Sequence, residues 1–380
     1  MKKWMWALAF ALVVFWPWVA VCEEPTALSV MEGLPIGEWQ QVVDSLSGGH
    51  GVDVKGMVTR LLSGEVAVGA DEMLQALLNM AREQILSRRG LMLRLLAPAL
   101  LCGLLARLRE AFQTKSVAEV SHWVCYLWVA AVVVQECVTQ IQVSRNAVDG
   151  MAAGMQALFP MLLTLLVAVG GTSSAALFQP AVVAASGTMA TLVRSVTFAL
   201  ALAYAVLAVL DNIREDVSLS RLASLVKTAS SWTLGVCFTV FIGVMAVQGF
   251  SAAAMDGVTI RTAKYAIDNF VPIVGGMFAD TVDTLVGCSL LVKNALGVTG
   301  ILLLLGYLAM PLLGVLSTVL ALRLTAAVLE PMADSRIVHC MGDASGALVM
   351  LSTTQLSIAA MFFLLVTQLL VVGNMTVMLR

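Results

Sequence analysis

Asp280, Asp283, Gly287 and Asn294 recur close to one helical stripe in the segment from Pro272 to Asn294. Gly275 and Gly276 stand just before them and permit a bend or a close helix approach. Carboxylates three residues apart on an apolar helix either line a polar seam, facing water or a protein partner, or mark a membrane edge in headgroup water. Both readings stay open at this point. Lys293, next to Asn294, reads as an edge anchor whose ammonium reaches out to the headgroups.

Other polar groups offer less chemistry. Gln135, Glu136 and Gln248 close apolar runs and read as boundary residues. Gly170, Gly171, Thr172, Ser173 and Ser174 lead into Pro180 and Gly187, a string that suits close helix packing or an interrupted transporter helix. The chain has neither a G-x-x-x-x-G-K-[ST] phosphate loop nor an H-E-x-x-H metalloprotease pattern. Ser345 and the lone His339 make no convincing nucleophile and base, and Asp280 and Asp283 are too close together for a pair of protease aspartates. Three His are too scattered for a metal site, and no C-x-x-C occurs. Cys102, Cys125, Cys137, Cys237 and Cys288 lie in apolar runs and read as small buried side chains. The expectation is a nonenzymatic protein with no catalytic, cofactor or metal site.

The elements that must position these residues are membrane helices. The 380 residues are 60% hydrophobic and 12% charged with a mean hydropathy of +0.93. Soluble domains carry roughly 25% charged residues. The net charge of -2 and the lack of a basic stripe argue against a nucleic-acid partner. Lys2 and Lys3, the apolar run from Trp4 to Val21 and the acidic Glu23 and Glu24 read as a signal peptide over residues 1–22, with an uncleaved first helix as the alternative. Residues 23–90 form a small extracytoplasmic region of amphipathic helices. Ser29 to Glu32 has capping-box spacing, and Leu74, Leu77, Leu78, Ala81 and Ile85 repeat behind Asp71. Gly48, Gly49 and Gly51 read as a linker.

Residues 91–380 form a multi-span domain, because a crossing helix needs about 20 mainly apolar residues. Candidate spans are 91–108, 120–138, 152–171, 175–193, 195–210, 230–249, 272–292, 298–322 and 354–373, giving seven to nine crossings. The fold class is therefore all-α and polytopic; a membrane barrel would need short alternating strands instead. With residues 23–89 outside after leader cleavage, Arg107, Arg109, Lys115, Arg214, Arg221 and Lys227 fall on the inner side, in agreement with the positive-inside bias, and Arg323 and Arg336 fall outside. Residues 211–228 and 256–271 read as interfacial or surface helices.

The run Phe270-Val-Pro-Ile-Val-Gly-Gly-Met-Phe-Ala-Asp-Thr-Val-Asp-Thr-Leu-Val-Gly-Cys-Ser-Leu-Leu-Val-Lys-Asn-Ala-Leu-Gly297, together with the leader and the many spans, resembles the stage III sporulation protein AE family of endospore-forming bacteria. The resemblance covers nearly the whole chain and implies a multi-pass component of the mother-cell complex in the outer forespore membrane. It implies partners as well: other membrane and ring-forming proteins of the same sporulation operon, the operon ATPase, and a forespore-membrane protein across the intermembrane space. The implied role is a platform or export-gate-like subunit of a channel or secretion complex. No catalytic residues come with it; Gly275, Gly276, Asp280, Asp283, Lys293 and Asn294 are signature-like positions. The rival reading from the residues is an autonomous secondary transporter for a small solute, with its site at broken helices near mid-bilayer.

Overall fold

A computed structural model describes residues 27–46, 52–64, 70–112, 115–183, 187–188, 190–211, 219–270, 275–333 and 335–378. The expected leader and the glycine linker lie outside them. Among the described residues every regular element is helical: α1 (Ala27–Glu32), α2 (Ile36–Leu46), α3 (Val54–Leu62), α4 (Ala70–Ser87), α5 (Arg89–Phe112), α6 (Lys115–Ala168), α7 (Thr172–Val183), α8 (Ala190–Leu192), α9 (Phe198–Asp211), α10 (Ser220–Phe270), α11 (Gly275–Leu329) and α12 (Ser335–Met378). A π-helical turn, Val193–Thr197, joins α8 to α9.

Helices α6, α10, α11 and α12 are 54, 51, 55 and 44 residues long. At 1.5 Å per residue they run about 65–85 Å, more than twice the roughly 30 Å of hydrocarbon in a bilayer. The nine apolar stretches consequently do not make nine crossings. Residues 120–138 and 152–168 are two parts of α6, and residues 275–292 and 298–322 are two parts of α11, with no turn between. Neither interval contains a proline, and the polar residues between the α6 stretches pair across the bundle instead of forming a loop. Among the described residues five helices are long and apolar enough to cross a membrane. The chain is an all-helical, polytopic membrane protein.

Side-chain contacts fix the directions. Ser144 of α6 meets Gln355 of α12 at 2.9 Å, and Leu166 stands beside Gly373, so these helices run parallel. Tyr307 reaches the Asn146 carbonyl at 3.3 Å and Gly300 lies against Leu158, so α11 runs the other way. The Val169–Gly171 turn, with Gly170 at a φ of 101°, lies at one end of the bundle. At the other end Tyr126 donates to the Val209 carbonyl at 2.7 Å, and a side-chain carbon on Gly103 would stand 2.1 Å from the Met332 carbonyl oxygen. These are the Gly170 end and the Glu330 end. Arg323 and Arg336, expected opposite the other cationic turns, share the Glu330 end with Lys115, Arg221 and Lys227, while Arg214 lies outside the described residues. The stretches 220–228 and 256–270 are the two extremities of α10 and not separate surface helices.

Helix α12 sits in the middle and packs on α6, α9, α10 and α11. Its buried positions recur around most of the helix, from Ile337 through Leu348, Ile358 and Leu365 to Val372. The outward faces of its neighbours stay apolar: Trp128 is 62%, Trp232 72% and Val247 69% exposed. A water-soluble bundle would not leave such side chains in solvent.

The amino-terminal helices are docked and not free-standing. Helices α1, α3 and α4 lie on α11 and α2 lies on α6, and Met31, Trp39, Val54 and Val58 are buried. Ser29 falls inside α1, so it does not cap it. The cap in this region is Asp53, which accepts from the Gly56 N–H at 2.9 Å and starts α3. Gln40 ties α2 to the chain entering α3, donating to the Val52 carbonyl at 2.7 Å and accepting from the Val54 N–H at 2.9 Å. Because Trp39 is 2% exposed, Trp39→Ala should cost about 3–5 kcal/mol. Limited proteolysis in membranes should then cut residues 27–64 faster than the wild-type chain while the long helices resist.

Candidate functional site

Most buried hydroxyls of the bundle satisfy themselves locally. Thr299, Thr318, Thr325, Thr354 and Thr376 each donate to the carbonyl four residues earlier, at 2.7 to 2.9 Å. Among the described residues, polar side chains that reach across helices include three clusters, beside single contacts such as those of Tyr126 and Tyr307.

The first is Lys293. Its side chain is fully buried, and Nζ donates to the carbonyls of Leu369 and Leu370 on α12 at 3.3 and 3.2 Å. The room comes from Gly373, where a side-chain carbon would lie 1.6 Å from Nζ and 2.8 Å from Cε. One turn of contact further, Asn294 Nδ2 donates to Asn374 Oδ1 at 3.2 Å, and the buried Asn294 Oδ1 has no partner in the bundle. Lys293 is thus an internal tie between α11 and α12 and not the edge anchor expected from its flanks. A cation at this depth is expensive unless protein acceptors replace its water.

The second cluster is Asp256 on α10, fully buried. Its carboxylate accepts from the Ser173 N–H at 2.8 Å, from the Ser174 N–H at 3.1 Å and from the Ser174 hydroxyl. These donors open α7, where free N–H groups and the helix dipole favour an anion. The third runs across the middle of the bundle. Arg88 Nη1 meets Glu136 Oε1 at 2.9 Å, and Gln140 donates to the same oxygen at 2.8 Å. Ser144 then donates to the Gln140 carbonyl at 2.7 Å and accepts from Gln355 at 2.9 Å. Glu136, expected at a helix edge, stands within α6 because that helix does not end there.

The predicted stripe divides. Gly275 and Gly276 open α11, and Asp280 lies in its first turns. Asp283 is exposed, and a side-chain carbon on Gly287 would meet open space. Asn294 continues that face inward onto Asn374, whereas Lys293 points about 80° away at 3.6 residues per turn. Asp283 and Lys293 therefore do not share one site. Sequence reading missed Asp256, Gln140, Gln355 and Gly373. The signal for Asp256 was present in the Thr172-Ser-Ser174 string, a helix start inside apolar sequence that needs an acceptor. Nothing local marks Gly373 as the partner of a lysine 80 residues earlier.

Carbonyls around an ammonium, helix N–H groups around a carboxylate and an amide chain between helices are fastenings. Among the described residues no cluster of three or more metal-ligating side chains occurs. The fold and these ties define a helical, multi-pass membrane bundle with internal polar fastenings. The family model described as stage III sporulation protein AE matches residues 52–373, and the chain belongs to that family. The Stage III sporulation protein AE of Bacillus subtilis strain 168 is 31% identical over 358 residues, covering 94% of this chain and 90% of that protein. No solved structure matches.

The Lys293 tie makes a paired prediction. Gly373→Ala should push Nζ off its carbonyls and cost about 1–3 kcal/mol. Lys293→Met removes the cation and its acceptors' demand together, so the double variant should recover most of the thermal stability lost by Gly373→Ala. Detergent-solubilised melting curves of the four proteins check this; an additive loss in the double variant would show that the two residues act separately.

Proposed function

We propose that the chain is a nonenzymatic membrane subunit, platform-like or export-gate-like, of a mother-cell to forespore channel or secretion complex required for sporulation. Family membership over residues 52–373 carries the reading. The polytopic bundle supports it, because its polar groups fasten helices to each other. The helix start that a transporter would turn toward an anionic solute is filled by Asp256 of the same chain. The proposed location is the outer forespore membrane on the mother-cell side. The proposed partners are the membrane and ring-forming proteins of the same operon, its ATPase, and a forespore-membrane protein reached through the complex.

The exposed carboxylate of Asp283, with Asp280 one turn before it, is the proposed contact for those neighbours. Asp280→Ala/Asp283→Ala should leave membrane abundance near wild type while reducing co-purification with the operon proteins and the yield of heat-resistant spores. Normal values of all three would remove the two aspartates from the contact. Solute uptake by the purified chain alone in liposomes would overturn the subunit reading itself.

A further inference from the structure

The outer edge of α6 carries a polar stripe. Gln135, Thr139, Gln142 and Asn146 recur every three or four residues there and are exposed, and Trp128 and Ala131 continue the same edge toward the Glu330 end. From Trp128 to Asn146 the stripe runs five turns, about 27 Å. Helix α2 is seated on α6 and α4 on α11, and with all the described helices in place these six side chains stay exposed. Amides set on an apolar helix need either water or a second polar surface.

The stripe itself is uncharged, and the ionised residues of the same stretch are paired or set aside. Glu136 turns onto Arg88, Arg145 is half-buried on the flank, and Asp149 at the far end pairs with Arg194 at 3.1 Å. Thr139 donates to the Gln135 carbonyl at 2.9 Å, and Gln142 Nε2 donates to Asn146 Oδ1 at 3.1 Å. That internal bond aims Gln142 Oε1, an acceptor, and Asn146 Nδ2, a donor, at the same side of the helix. A surface that carries donors and acceptors together complements a copy of itself. A stripe of carboxylates or ammonium groups would repel its copy across a two-fold axis, where each group stands beside its own equivalent.

We infer that this edge of α6 is a self-association face, and that its occupant is α6 of a second copy of this chain. Two copies in one membrane share their orientation, so the two-fold axis runs along the membrane normal and the two α6 helices lie parallel. Each stripe residue then stands opposite its equivalent and within one turn of its neighbours, which brings Gln142 Oε1 within reach of the partner's Asn146. Ala131 lets the helices approach closely and leaves room for the partner's Trp128, so the contact covers an indole that is 62% exposed in the single chain.

The test uses the full chain in proteoliposomes, oxidised with copper phenanthroline, with the unsubstituted chain and its own cysteines as the control. Thr139→Cys and Gln142→Cys should each form a disulfide-linked dimer several-fold in excess of that control. Val247→Cys, on the outer face of α10 and 69% exposed, should not. No excess at 139 and 142, or as much at 247 as at 142, would overturn the proposal and leave the stripe to water and headgroups. A second measurement needs no cysteine: the mass of the chain purified in mild detergent. The wild-type chain should be dimeric at micromolar concentration, and Ala131→Trp, which fills the approach without touching the bundle's interior, should lower the dimer fraction several-fold at unchanged membrane abundance. A monomeric wild-type chain, or an Ala131→Trp variant as dimeric as wild type, would also overturn it, as would cross-linking at 142 in whole cells to a different protein alone.

Discussion

Backbone polar groups in hydrocarbon have no water to fall back on, so the chain must close its own hydrogen bonds before it can pack. Long uninterrupted helices are the solution here, and they bring a second requirement. Apolar helices surrounded by apolar chains gain little by leaving lipid for each other, so association rests on shape and on the few polar groups that cannot be left alone. α12 meets that requirement for the whole bundle. It touches four other long or membrane-type helices; its carbonyls and side chains accept from Lys293, Asn294 and Arg323, and its Gln355 donates to Ser144.

The three polar fastenings solve three different electrostatic problems. Asp256 uses what a helix start supplies without side chains, two N–H groups and a favourable dipole. Lys293 uses carbonyls that already accept within α12, so its acceptors exist whether or not the lysine is present. Arg88 and Glu136 are a charge pair, with Gln140 sharing the carboxylate oxygen and extending the contact toward α12 through Ser144. Each joins segments distant in sequence, and each lies at a different height. Sliding α11, α10 or α6 along its neighbours breaks the tie at its own level, so register is fixed by chemistry as well as by packing.

The class of fold was legible because the 12% charge content and long apolar runs admit little else. The number of passes was not. A stretch such as Gln135-Glu-Cys-Val-Thr-Gln-Ile-Gln-Val-Ser-Arg145 has the composition of a loop, and only the long-range partners Arg88 and Gln355 explain how it stays helical. The same ambiguity made Lys293 look like a membrane edge: its neighbours in sequence are apolar, while the acceptors that hold it are 76 and 77 residues away. Asp283 was legible as a polar position on a helix, but its separation from Lys293 depends on which side of α11 the other helices cover.

Helix α12 is also the last of these helices to be synthesised, and that order has a cost for a growing chain. Until Leu369, Leu370 and Gly373 have emerged and swung into place, Lys293 has been inserted with none of its final acceptors. Earlier helices can enter the membrane one after another, yet the α11 ammonium must meanwhile be solvated by lipid headgroups, water or translocation machinery. A chain that ends before Leu369 therefore carries an α11 ammonium with neither of its carbonyl acceptors, and such a cation is costly in hydrocarbon.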